Sequence, residues 1–142
     1  MRMTSEKFWL QEAVLTALAA FVLVTPLGVQ GQAPGEYKIP PEAAQKANPV
    51  KPSPESLAKG KKMYAIDCAM CHGEKGDGKG DMASDIKNVS DFTNPDVQKA
   101  RTDGEWFYIT RKGKGEMPPE GDRVKDEEVW NIVNYIRAFA KK

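Results

Sequence analysis

Apolar side chains recur every three or four residues near the carboxyl end of the chain, a pattern that predicts an amphipathic helix. The apolar positions are Val129, Ile132, Val133, Ile136, Phe139 and Ala140. Acidic residues at 126–128 precede this face, and Lys141 and Lys142 follow it. This charge order suits the dipole of a helix, because anions are stabilised near its amino end and cations near its carboxyl end.

A second helix is predicted to begin after Ser53. Serine is a favoured N-cap residue, and Pro54 stands at the first helical position, where its missing N–H group costs nothing. The helix is expected to run through Ile66, with Gly60 and Tyr64 on one stripe. A glycine inside a helix is unfavourable by roughly 1 kcal/mol relative to alanine, so close approach of another helix is expected at this position.

Two shorter elements are predicted between these helices. Thr102 and Glu105 match a capping box, which predicts a helix that continues through Arg111 and ends near Gly113. Residues 94–96, Asn-Pro-Asp, predict a short helix or turn. No strand pattern of any strength is present, so the fold class is predicted to be all-α.

An uncharged apolar run occupies residues 13–29. Pro26 and Gly28 would end a helix near Thr25, which leaves fewer than the about 20 residues that a membrane-spanning helix needs. The apolar part of an export signal needs only roughly 7–15 residues. We therefore expect residues 1–31 to be a signal peptide that is cleaved near Gln32, or an uncleaved membrane anchor. Either segment would place the rest of the chain in the periplasm or on the outer side of the cytoplasmic membrane.

Prolines are concentrated in the next segment, residues 32–52. This composition predicts an extended, semi-rigid linker that carries no site. The run 41–46 is compatible with one or two helical turns. The folded domain is then expected to cover residues 53–142.

Both cysteines and the only histidine of the chain lie in one pentapeptide, Cys68-Ala69-Met70-Cys71-His72. A C-x-x-C-H run is typical of the covalent attachment of c-type haem. On a helix, Cys68, Cys71 and His72 share one face. The two thiols can therefore bind the vinyl groups of one porphyrin as thioethers, and the imidazole can bind its iron.

Three other interpretations of this motif are weaker. A structural zinc site needs about four ligands, and the pentapeptide offers three. A redox C-x-x-C is expected beside a βαβ pattern, which is absent from the sequence. A plain disulfide would not explain why His72 follows Cys71 directly.

The second axial ligand of the iron must come from another part of the chain, because there is no second histidine. The candidate sulfur ligands are Met63, Met70, Met82 and Met117. Met63 and Met70 flank the attachment helix, and Met82 follows His72 too closely to pass easily around a porphyrin. Met117 lies after a whole helix, in a loop that two prolines stiffen. We expect His72 and Met117 to be the axial ligands, with Met82 or an open sixth position as the alternatives.

Composition agrees with a small haem protein. The chain has 142 residues and a formal net charge of +1, which gives no indication of nucleic acid as a partner. A domain of about 90 residues buries a modest core, and a covalently bound haem would enlarge it.

Closed His/Met ligation implies outer-sphere electron transfer and a raised reduction potential. The alternative functions are a haem enzyme or gas sensor with an open distal site, such as a peroxidase, and a haem-free interaction module.

These residues resemble the small mono-haem class I c-type cytochromes of bacteria. The resemblance covers residues 53–142 and rests on the Cys68–Gly73 motif, the glycine-rich loop after it, Met117-Pro118, and a last helix with Trp130 and Tyr135. Gly60 and Tyr64 also match the family's pattern where the first helix crosses the last. The resemblance implies three to five helices wrapped around one covalently attached haem. The chain is similar both to free electron carriers and to cytochrome subunits of haem–copper oxidases, so an oxidase, reductase or dehydrogenase in the membrane is the expected partner.

One departure from the family concerns the group that orients His72. Members commonly have a Gly-Pro pair about ten residues after this histidine, whose carbonyl accepts its Nδ1–H. Gly80-Asp81-Met82 stands in that region and contains no proline, so the acceptor stays unidentified. The candidate partners for the haem propionates are Arg101, Trp106, Tyr108 and Lys114.

Overall fold

The computed structural model describes residues 37–140, and the expected signal peptide or anchor, residues 1–31, lies outside them. The described residues form six α-helices, one 3-10 turn and one isolated bridge, with no β-strand among them. The helices are α1 (Pro41–Ala44), α2 (Pro54–Asp67), α3 (Ala69–His72), α4 (Pro95–Lys99), α5 (Asp103–Lys112) and α6 (Asp126–Phe139), and the 3-10 turn is Gly121–Arg123. None of these helices is long and apolar enough to cross a membrane.

The all-α class is therefore confirmed. The six helices of the described residues are consistent with the three to five that the resemblance implied, since two of the six, α1 and α3, are single turns of four residues each. The predicted starts of α2 and α5 agree with the structure. Ser53 Oγ accepts the N–H of Ser56 at 3.1 Å and caps α2. The capping box of α5 is also present, since Thr102 Oγ1 accepts from the Glu105 N–H at 3.1 Å and a Glu105 carboxylate oxygen accepts from the Thr102 N–H at 2.8 Å.

Helices α2 and α6 cross at Gly60. A Cβ atom at Gly60 would overlap the carbonyl oxygen of Asn131 and lie 2.7 Å from its carbonyl carbon. One turn further along α2, the ring of Tyr64 lies 5.3 Å from the rings of both Tyr135 and Phe139. Glycine is required at the crossing because the backbone of α6 occupies the space where any side chain would lie.

The apolar face of α6 forms the centre of the core. Its members Val129, Ile132 and Val133 have no exposed surface. Trp130 is also buried and stacks on Phe107 of α5, with ring centroids 4.2 Å apart. Ala140, which the sequence pattern assigned to the same face, is exposed because α6 ends one residue earlier. The core therefore joins α2, α5 and α6 through the face that the periodicity predicted.

The described part of the proline-rich segment, from residue 37 onward, lies against the helices, whereas the composition predicts an extended, semi-rigid linker for residues 32–52. Thr102 Oγ1 donates to the carbonyl oxygen of Ala44 at 2.5 Å, and Asn48 Nδ2 donates to Asn134 Oδ1 at 2.9 Å. The compact unit accordingly includes described residues before Ser53, where the folded domain is expected to begin. We call residues 37–50 the N-terminal strap. Its composition predicts an extended chain but does not show what the chain packs against. Its hydrogen-bond partners, Thr102 and Asn134, lie 58 and 86 residues further along the sequence, so no local pattern indicates them.

Candidate haem-binding site

The C-x-x-C-H motif forms a single helical turn directly after α2. The amides of Cys71 and His72 donate to the carbonyl oxygen of Cys68 at 3.2 Å and 2.9 Å, so the three side chains belong to one turn, as predicted. Both cysteines are free thiols. Burial raises the pKa of the Cys68 thiol to about 12, and the negative charges of Glu120 and Asp67 add to this shift. The turn therefore places two free thiols beside an imidazole.

His72 is oriented by a backbone carbonyl. Its Nδ1 lies 3.2 Å from the carbonyl oxygen of Ser90, 18 residues further along the chain. Its ring stacks on that of Phe92, with centroids 4.5 Å apart and planes 22° apart. Burial lowers the pKa of His72, and the bond to Ser90 partly opposes this shift. A neutral imidazole that donates from Nδ1 keeps the lone pair of Nε2 available for a metal.

The Ser90 carbonyl is the acceptor that sequence analysis left unidentified. The glycine-rich loop after His72 holds it in place, since the Gly78 amide donates to the carbonyl oxygen of His72 at 2.9 Å and the Phe92 amide donates to that of Gly76 at 2.6 Å. Tyr64 of α2 donates its hydroxyl to the carbonyl oxygen of Gly73 at 2.9 Å. Any residue type supplies a carbonyl, so no sequence signal marks this acceptor.

The candidate methionines differ in their surroundings. Met70 and Met82 are 52 % and 43 % exposed. Met63 and Met117 are partly buried and pack against the core cluster that includes Cys68 and Trp106. Met117 lies in the loop after α5, where its amide and carbonyl each bond to those of Lys114 at 3.0 Å.

Trp106 carries a polar atom without a partner. Its side chain is 4 % exposed, and its indole Nε1 is buried with no hydrogen bond among the described residues. An unpaired buried donor is unfavourable by about 1–3 kcal/mol, and a carboxylate of a bound haem would satisfy it. Together with the two free thiols and the neutral imidazole, this orphaned donor makes the site fit a haem c.

The other candidate propionate partners already have neighbours. Arg101 Nη1 lies 3.3 Å from a carboxylate oxygen of Glu105. Tyr108 packs edge-on to Tyr37 with centroids 6.5 Å apart, and Lys114 Nζ lies 5.6 Å from the centre of the Tyr37 ring. Trp106 is therefore the strongest of the four candidates.

A charged cluster lies beside Cys68. Arg123 pairs with Asp67 at 3.2 Å and also with Glu120. Burial raises the pKa of Glu120, the Asp67 carboxylate adds to this shift, and Arg123 and Arg111 oppose it. No group of three or more His, Cys, Asp or Glu in residues 37–140 is arranged to hold a metal ion, so this cluster does not support a second metal site.

An all-α domain whose core adjoins a turn with two free thiols and an imidazole is typical of the class I c-type cytochromes. A family model described as "Cytochrome C oxidase, cbb3-type, subunit III" matches residues 55–136. The chain belongs to this family. The match runs from the first turn of α2 into α6 and confirms both the resemblance and the fold that the sequence indicated.

Several characterised proteins are similar to the chain. The quinohemoprotein alcohol dehydrogenase ADH IIB of Pseudomonas putida is 31 % identical over 115 residues, which are 81 % of this chain and 16 % of the dehydrogenase. Cytochrome c6 of Cladophora glomerata is 30 % identical over 82 residues, which are 58 % of this chain and 87 % of that protein. Cytochrome c6 of Diacronema lutheri is 26 % identical, with 59 % of this chain and 96 % of that protein covered. The chain thus spans most of either cytochrome c6 but about a sixth of the dehydrogenase.

A solved structure shares the fold. It is a chain of the reducing HAO-like protein complex of Kuenenia stuttgartiensis, with a TM-score of 0.57 and 26 % sequence identity. The superposition covers 64 % of this chain and 46 % of the other.

Proposed function

We propose that this protein transfers single electrons through one haem c, bound covalently by Cys68 and Cys71, with His72 and Met117 as the axial ligands of its iron. The arrangement at His72 carries the proposal. The Ser90 carbonyl engages Nδ1 at 3.2 Å, so Nε2 is left for the iron beside two free thiols. The bound haem supplies a one-electron cycle between ferrous and ferric iron.

The residues of the chain have separate roles in this proposal. Cys68 and Cys71 hold the porphyrin, and Ser90 and Phe92 hold the imidazole in one orientation. Met117 would supply the second axial ligand of a bound haem and would thereby exclude water, oxygen and peroxide from the iron. A closed iron centre favours an electron carrier over a peroxidase-like enzyme or a gas sensor.

The partners are proposed to be redox proteins of a membrane electron-transfer chain. The matched family is described as an oxidase subunit, one relative is a dehydrogenase, and a structural neighbour belongs to a protein complex. We propose that the chain is exported through residues 1–31 and works in the periplasm or on the outer side of the cytoplasmic membrane. It acts there as a carrier or as the electron-transfer subunit of an oxidoreductase, and has no catalytic residues of its own.

Haem staining of a denaturing gel tests the covalent attachment. We expect the wild-type protein to stain and the double variant Cys68→Ala/Cys71→Ala not to stain. Met70→Ala is the matched control, because Met70 lies between the two cysteines and is 52 % exposed; it should stain like the wild type. By mass spectrometry, the wild-type chain should be heavier than the bare polypeptide by the mass of one haem. An unstained wild-type band would refute the proposal and support the haem-free module.

The Trp106→Phe substitution tests the expected contact with a propionate. It keeps a buried aromatic ring and removes the unpaired indole N–H. If a propionate accepts from this group, the haem-loaded variant should lose about 1.5–3 kcal/mol of unfolding free energy, the range for a hydrogen bond to a charged group. Denaturant titration followed by haem absorbance measures this loss. An unchanged or higher unfolding free energy would contradict the contact, since the loss of a hydrogen bond to a charged group is destabilising.

A further inference from the structure

The N-terminal strap reaches the loop that carries Met117 through Tyr37. The Tyr37 hydroxyl donates to the carbonyl oxygen of Gly113 at 2.7 Å, across 76 residues of sequence. Gly113 ends α5, and its amide donates to the carbonyl oxygen of Ile109 at 2.8 Å. The carbonyl that Tyr37 holds is therefore at the junction between helix and loop. A bond at this point restrains the direction in which the loop leaves the helix.

The loop transmits this restraint to Met117 because it is tightly closed. Gly113 has a φ of 75°, which favours glycine. A Cβ atom there would lie 2.6 Å from the carbonyl oxygen of Met117 and 2.9 Å from the nitrogen of Pro119. Two reciprocal backbone bonds of 3.0 Å join Lys114 to Met117. Gly113 therefore cannot move far without displacing Met117.

Tyr37 is itself held in place. Its ring packs edge-on to Tyr108, with centroids 6.5 Å apart, and Lys114 Nζ lies 5.6 Å from its centre. Burial raises the pKa of Tyr37, and the nearby Tyr108 adds to this shift, so the hydroxyl keeps its proton near neutral pH. The rest of the strap is fixed to α5 through Thr102 and to α6 through Asn134. The hydroxyl is thus presented to Gly113 from a docked segment.

We propose that Tyr37 is a positioning residue for the axial methionine: its bond to Gly113 keeps the Met117 loop in the conformation that presents the thioether to the iron. This inference rests on the proposed ligation by Met117. It assigns a role to a segment that the sequence indicated to be a spacer. It also implies that the strap affects how readily Met117 leaves the iron.

Imidazole binding to the ferric, haem-loaded protein tests this role. Added imidazole can bind the iron only after Met117 leaves, so its apparent affinity reports the opening of the loop. Tyr37→Phe keeps the ring contacts and removes the hydroxyl. We expect imidazole to bind about fivefold more tightly to this variant, which corresponds to about 1 kcal/mol and to one net hydrogen bond. The iron–sulfur charge-transfer band should be lost at correspondingly lower imidazole concentrations.

Asn48→Ala is the matched control. It removes two other hydrogen bonds of the strap, the one to Asn134 of α6 and the one that Asn48 Oδ1 accepts from the Val50 amide. It should lower the unfolding free energy without changing imidazole affinity more than about twofold. An unchanged affinity in Tyr37→Phe, or an equal increase in Asn48→Ala, would overturn the positioning role while leaving Met117 ligation intact. A wild-type ferric protein without the charge-transfer band would overturn the ligation and the inference with it.

Discussion

Replacing Met117 with alanine is expected to remove the weak red iron–sulfur charge-transfer band of the ferric protein. The reduction potential should fall by an amount on the order of 0.1 V, within the ~0.8 V range that axial ligands span. The physical reason is that a thioether donates weakly and stabilises ferrous iron, whereas water or hydroxide in its place favours the ferric state. Absorption spectra of the ferric protein and a potentiometric titration measure the two effects.

The structure provides two controls for this substitution. Met82→Ala removes a methionine that is 43 % exposed, and Met63→Leu alters one that also packs against the core cluster. Both variants should keep the band and a potential near that of the wild type. Persistence of the band in Met117→Ala, or its loss in Met82→Ala, would show that Met117 is not the ligand. Met117 is only partly buried in a loop, so the variant is expected to remain folded.

The same variant tests the alternative function. Without Met117 the sixth position is open to water, oxygen or peroxide. Peroxidase activity should therefore be absent from the wild type and gained by Met117→Ala. High activity in the wild type would favour the haem enzyme over the carrier.

The Gly60→Ala substitution is expected to lower the unfolding free energy by about 3 kcal/mol or more, at the upper end of the range for overpacked positions. Helix propensity by itself predicts the opposite sign, since alanine is favoured over glycine by roughly 1 kcal/mol. The added methyl group would overlap the carbonyl oxygen of Asn131 and lie 2.9 Å from Cβ of Tyr135. One of these contacts is with backbone, so a rotamer change cannot relieve it and the helices must separate.

Urea denaturation of the haem-loaded protein measures this effect. Lys61→Ala is a control, since it leaves the same alanine side chain at an exposed neighbour on α2 and should change the unfolding free energy by less than about 0.5 kcal/mol. A stabilised Gly60→Ala protein would mean that α2 and α6 do not approach as closely as described. Because α2 leads directly into Cys68, separation of the helices is also expected to lower the yield of haem-loaded protein.

The elements that could be predicted from sequence depend on nearby residues. The N-cap at Ser53 and the capping box at Thr102 each involve residues three positions apart. The helical face of α6 follows from its own periodicity, and the haem motif occupies one turn. Gly60 is also informative, because an unfavourable residue inside a helix indicates a close crossing, and the family resemblance implies that the last helix is the partner.

Other features were not predictable because their partners are distant in sequence and leave no side-chain pattern. The acceptor for His72 is a backbone carbonyl 18 residues away. The strap was expected to be a spacer because prolines favour extended chain, and that preference does not reveal what the segment packs against. The sequence does not indicate that the indole N–H of Trp106 lacks a partner, because this depends on which residues surround it in the fold.

The sequence by itself determined the helical class, most helix ends and the single turn of the C-x-x-C-H motif, because capping, periodicity and motif spacing are local. Only the tertiary structure decided which carbonyl orients His72, where the domain begins, and that Tyr37 contacts the loop of Met117. Each of those features pairs groups 18 to 86 residues apart. Such pairs form because the packing of α2, α5 and α6 brings distant residues together. Most of the pairs use a backbone carbonyl, which any residue can supply, so the sequence does not mark them.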